Sequence, residues 1–92
     1  MALPQDDLFT DTEWNELVGI LALSNRQAQI AREIMRGRSD RQIAELLGIT
    51  HATVRTHLKQ VFARLRVGDR NEMILTMVRQ SMAMARAQGV TK

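Results

Sequence analysis

The feature that most constrains this chain is a regular series of helix-start signals. Thr10-Asp11-Thr12-Glu13, Ser24-Asn25-Arg26-Gln27, Ser39-Asp40-Arg41-Gln42 and Asp69-Arg70-Asn71-Glu72 all place a short polar residue three positions before Glu or Gln. That spacing lets the first side chain accept from the third residue's backbone N–H while the Glu or Gln side chain reaches back. Thr50 is a fifth candidate N-cap, without the returning acid. Phe9 and Trp14 flank the first signal as a hydrophobic staple would. Glycines at 37, 48 and 68 fall where the helices should stop. The spacing predicts helices over 11–22, 25–36, 40–47, 51–65 and 70–87. No segment alternates β-branched residues, so the expected fold class is all-α.

Ninety-two residues suit one small domain. With 45% apolar residues and no cysteine, helix packing must hold the core without disulfides or a metal. No apolar run approaches a membrane span, and no charged-then-apolar leader opens the chain, so a cytoplasmic protein is expected. Residues 1–22 carry five acids and no Lys or Arg. Residues 23–92 carry all 13 Lys and Arg against five acids. The division predicts an acidic arm and extra helix over 1–22, its first nine residues a loose arm holding Pro4, and a basic body over 23–92. A basic body suits a polyanionic partner, though many small domains are basic without one.

The third and fourth helices form the informative pair. Ile43, Ala44 and Leu47 are the apolar face of a short helix, Gly48 and Ile49 make a turn, and Thr50 caps a longer helix, a helix-turn-helix layout. On the longer helix Val54, Leu58, Val61, Phe62 and Leu65 form a stripe about 100° wide, the width of a core-facing surface. Opposite lie Ala52, Arg55, Thr56, Lys59, Ala63 and Arg66, flanked by Thr53, His57, Gln60 and Arg64. Small residues beside long donors are what a helix entering the DNA major groove needs near its N-terminal end. No Asp or Glu occurs from Leu46 to Gly68, whereas an ordinary solvated helix gains from mixed-sign pairs.

At these residues the chain resembles the LuxR-type, or GerE-like, DNA-binding domain of bacterial regulators. The matching segments are LSNRQ (23–27), GRSDRQIAELLGIT (37–50), TVRTH (53–57), RLRV (64–67) and DRNE (69–72), in register from Leu23 to about Leu75. They follow the family's L-[ST]-x-R-E, G-x-S-N-K-E-I-A-x-x-L-x-[IV]-[ST], T-V-K-x-H and K-L-G-V-x-[SN]-R patterns. The resemblance implies a four-helix LuxR-type helix-turn-helix domain over 23–92, here with one extra N-terminal helix. It also implies that helix 51–65 lies in the major groove, with Arg55, Thr56 and Lys59 facing bases. Arg38, Ser39, Arg41, Thr50, Thr53, His57 and Arg66 are the expected backbone-facing set, Ser39 through helix N-terminal N–H groups. The function it implies is a sequence-specific transcriptional regulator binding double-stranded DNA. Gln27 stands where the family commonly has Glu and can still close a capping box. Arg66 replaces the family's usual Gly, and with the next glycine at Gly68 the helix could run one turn further. These residues include neither a receiver nor a small-molecule-sensing domain, so a stand-alone regulator and an isolated domain are both open.

Met73, Ile74, Leu75, Met77, Val78, Met82, Met84 and Ala85 give the last helix an apolar surface of about 200°, roughly twice what one core needs. The surplus predicts a homodimer, with Ile74, Leu75, Met77, Val78 and Met82 in its interface and two heads on an inverted repeat. Met adapts equally to a loosely covered surface. The first helix, with Trp14, Leu17, Val18 and Leu21, should pack on the domain, with a regulatory protein partner as a further role for it. Catalysis finds no support, because the chain has no nucleophile elbow and no Gly-rich phosphate loop. His51 and His57, six apart, lie on different faces without a third ligand, so neither a metal nor a cofactor is expected. The competing reading is a helix-turn-helix module that dimerises or binds a regulator without reading DNA.

Overall fold

A computed structural model describes residues 8–89, with side chains through Ala87. Pro4, Asp6, Asp7 and most of the expected loose arm lie outside the described residues. Five helices run in chain order: α1 (Asp11–Leu21), α2 (Asn25–Met35), α3 (Asp40–Leu47), α4 (His51–Leu65) and α5 (Arg70–Gly89). Among the described residues there is no strand, and none of these helices is long and apolar enough to cross a membrane.

Local chemistry sets the helix starts. Thr10, Ser24 and Ser39 each close a reciprocal capping box with Glu13, Gln27 and Gln42. Thr50 accepts from the Thr53 N–H at 3.0 Å, and Asp69 from the Glu72 N–H at 2.9 Å. Each such bond satisfies a donor that the first turn of a helix otherwise leaves unpaired. The Phe9 and Trp14 rings meet at a tilt of 44° with centroids 5.5 Å apart, so the staple forms and both residues are buried.

The core draws a fully buried side chain from every helix: Leu17, Ile30, Ile43, Val54, Val61, Met73 and Met77. Burial of such a side chain contributes about 1.5–3 kcal/mol. Helix α4 packs against α2, α3 and α5, while α1 lies on α5. Arg32 of α2 also ties α1 down: its guanidinium sits 5.8 Å from the Trp14 ring centroid and 2.9 Å from the Asp11 carboxylate. The extra helix therefore shares the core with the rest of the chain.

The ends of α3 and α4 fall where the sequence places them but close differently. Gly48 takes φ +68° as the cap of α3, as its missing Cβ permits. Gly68 does not end α4. The helix stops at Leu65 without the extra turn, and Arg66 itself takes the left-handed conformation, φ 58° and ψ 45°. Arg66 N–H bonds Ala63 O at 3.2 Å and Val67 N–H bonds Phe62 O at 2.9 Å. Those two bonds satisfy two of the carbonyls in the last turn, Phe62 O and Ala63 O, and accompany a non-glycine residue where glycine is preferred.

Candidate nucleic-acid interface

Helix α4 is clamped from behind and open in front. Val54, Leu58 and Val61 are buried, with Phe62 and Leu65 half-buried beside them. With that stripe anchored, Arg55, Thr56 and Lys59 emerge together on the exposed side. The Thr56 hydroxyl donates to Ala52 O at 3.0 Å. Its methyl is then the uncommitted group, the part suited to an apolar contact such as a thymine methyl.

The flanking row divides, with Gln60 and Arg64 exposed. Thr53 and His57 are half-buried, and Gln60 accepts a hydrogen bond from Gln27 of α2 at 3.4 Å. The Nδ1 atom of His57 is buried without a hydrogen-bond partner. Local bonds close the helix-turn-helix corner: Gly48 caps α3, and Thr50 Oγ1 lies 2.8 Å from Thr53 Oγ1.

Around the start of α3 the surface is basic but internally braced. Arg38 and Arg41 are exposed, and Arg38 Nε is held 2.7 Å from Glu33 Oε1. Glu33, buried at 7% exposure, also pairs with Arg36 at 2.5 Å. A buried carboxylate persists only with such partners. The sequence reading missed it, because an acid in the middle of a polar-looking helix gives no sign of facing inward. The Ser39 capping box uses the Ser39 hydroxyl, the Ser39 N–H and the Gln42 N–H internally. Fewer first-turn donors remain for an anion than the motif alone implies.

A second missed residue is Asp40. The acid-free run from Leu46 to Gly68 holds along the chain, but Asp40 of α3 comes within 4.0 Å of Arg55 Nε and is ion-paired with Arg70. Together with Lys59, Asp69 and the apolar Leu58 and Phe62, these residues line a shallow hollow of about 260 Å³. A larger cleft of about 460 Å³ lies elsewhere, lined by Trp14 and Val18 of α1, Arg32 and Glu33 of α2 and Leu47 of α3. No group of His, Asp or Glu among the described residues could hold a metal ion.

On α5 the expected interface residues divide. Met77 is fully buried in the monomer's own core, which corrects its assignment to a surface between copies. Ile74 and Val78 are half-buried, and Leu75 and Met82 are each 53% exposed.

The profile of a family described as bacterial regulatory proteins, luxR family (GerE), matches residues 21–77. An uncharacterized transcriptional regulatory protein, YhcZ, of Bacillus subtilis is 35% identical over 60 residues, 65% of this chain and 28% of the relative. The HTH-type transcriptional regulator MalT of Vibrio parahaemolyticus is 34% identical over 61 residues, 66% of this chain and 7% of the relative. The transcriptional regulatory protein LnrK of Bacillus subtilis is 33% identical over 60 residues, 65% and 27% respectively. The chain thus spans less than a third of the length of these relatives. No solved structure gave a significant match.

Proposed function

The chain belongs to the luxR family of bacterial regulatory proteins, and on that premise we propose that it is a sequence-specific, double-stranded DNA-binding transcriptional regulator. The observation that carries the reading is the outer face of α4. Arg55, Thr56 and Lys59 are exposed together on a helix whose opposite side is locked into the core. Such a helix can enter a major groove as a rigid body without disturbing the fold.

In this reading Arg55 and Lys59 donate to base edges or phosphates, and Thr56 offers its methyl. Arg38, Arg41 and Arg66 add phosphate contacts, the larger share of affinity, and Ser39, Thr50, Thr53 and His57 set the helix against the backbone. The basic domain spans 23–92, with 1–22 as its acidic arm and extra helix. Ile74, Leu75, Val78 and Met82 favour a homodimer through α5, with two heads on an inverted repeat. The exposed acids of α1 would repel DNA from that side, and the cleft beside it is where a regulatory protein partner would dock. The cytoplasm is the compartment in which such a regulator meets DNA.

The test is selection of bound sequences from a pool of random duplexes. Enrichment of an inverted repeat is the expected result, with affinity falling steeply as salt rises. No enrichment at low salt, together with a flat salt titration, would favour a protein-interaction module built on the same fold.

A further inference from the structure

Asp40 opens α3, yet its carboxylate is shared between two other helices. Oδ1 is ion-paired with Arg70, the first residue of α5, and Oδ2 lies 4.0 Å from Nε of Arg55 on α4. Each oxygen thus serves one guanidinium. The side chain of Asp40 is 21% exposed, whereas that of Arg55 is 67% exposed. The second distance is that of an ion pair rather than a hydrogen bond. It draws on Nε, the inner nitrogen of the guanidinium. The two terminal nitrogens remain available, and they can offer two parallel N–H donors to a base edge.

We infer that Asp40 is a positioning residue that sets sequence specificity: pinned by Arg70, it holds Arg55 by its inner nitrogen and leaves the terminal fork pointing at DNA. This rests on the reading of α4 as the helix that meets DNA. An unrestrained arginine on an exposed helix face samples many rotamers and meets a phosphate as readily as a base. Restraint before binding lowers the entropy lost in forming one defined contact. A carboxylate beside the same guanidinium also disfavours a generic contact with phosphate. Both effects raise the ratio of cognate to non-cognate binding, and neither requires Asp40 to touch DNA.

The arrangement separates geometry from charge. Asp40→Asn makes the surface more positive by one, and Arg70→Gln makes it less positive by one. If only net charge mattered, the first would tighten all DNA binding, the second would weaken it, and discrimination would stay constant. With Asp40 as a brace, non-cognate affinity moves in opposite directions in the two variants, by about twofold each, while discrimination falls in both, by roughly threefold to tenfold.

The experiment uses the full chain, a duplex selected by the wild type from a random pool, and a scrambled duplex of the same composition. Affinities for both are measured over a range of salt for the wild type, Asp40→Asn, Arg70→Gln and a charge control, Glu45→Gln, on the exposed side of α3. Circular dichroism and thermal melting establish that each variant is folded at the assay temperature. The expected result is lost discrimination in the first two variants, wild-type discrimination in the control, and no further loss when Asp40→Asn is added to Arg55→Ala. Unchanged discrimination in a folded Asp40→Asn would overturn the inference, as would an equal loss in the Arg55→Ala background. Both outcomes leave the DNA-binding reading standing. A wild type that enriches no sequence at low salt overturns that reading and this inference together.

Discussion

Helices α4 and α5 are the two longest in the molecule, and each carries apolar residues over much of its surface, but they use that surface differently. α4 packs against α2, α3 and α5, and its stripe is absorbed by them. The one face left free carries Arg55, Thr56 and Lys59. α5 packs mainly against α4 and α1, and Arg70 at its start is ion-paired with Asp40 of α3. Met73 and Met77 are fully buried there, while Leu75 and Met82 remain more than half exposed on the same helix. Apolar pattern width alone does not say what a helix binds. The number of helices around it decides whether its free face is polar or still lacks a cover.

The largest test of this contrast is core deletion. Leu58→Ala in α4 should lower stability by about 2–5 kcal/mol, whereas Met82→Ala in α5 should stay within about 0.5 kcal/mol for the monomer. Urea unfolding measures both, and equal losses would erase the distinction between the helices. Next in size is the outer face. Arg55→Ala should cost about 1–3 kcal/mol on a selected duplex, and Arg79→Ala on α5 should cost far less. Anisotropy titration separates them, and comparable losses would mean that DNA is met by a surface other than α4.

A smaller effect sharpens the comparison at the junction of the two helices. Arg66→Gly should raise stability by about 1 kcal/mol, because glycine takes the left-handed conformation without a Cβ clash. The same change should weaken DNA binding evenly across sequences and make the salt slope shallower by about 1, as loss of a phosphate contact does. Stability and affinity would then move in opposite directions in one variant. The smallest effect on folding belongs to Leu75→Ser combined with Met82→Ser. Monomer unfolding should change by about 0.5 kcal/mol or less per site, while sedimentation velocity should show loss of the dimer. A wild type that stays monomeric at high concentration would remove the second copy as the cover for α5.

Much of the fold was legible because its signals are local. The four residues of each capping box lie within one turn, so Thr10, Ser24 and Ser39 announced their helices without reference to anything distant. The apolar stripe of α4 was legible for the same reason, since periodicity on one helix is a local property. Arg66 was harder to read: the pattern showed a missing glycine, but not that an arginine would take glycine's conformation beside two backbone bonds. Met77 was misassigned because the wheel gives the width of an apolar surface and not its division between partners.

The sequence by itself determined the five helices, their order, the helix-turn-helix corner and the set of residues on the outer face of α4. Those follow from hydrogen bonds and side-chain periods that act over three or four residues. Only the tertiary structure decided that Glu33 faces inward to brace Arg38, that α1 covers part of α5, and that Asp40 stands between Arg55 and Arg70. The pairs Asp40–Arg55 and Asp40–Arg70 join residues on different helices, far apart along the chain. Charges meet through space according to how helices are docked, and no local rule of spacing along the chain encodes that docking.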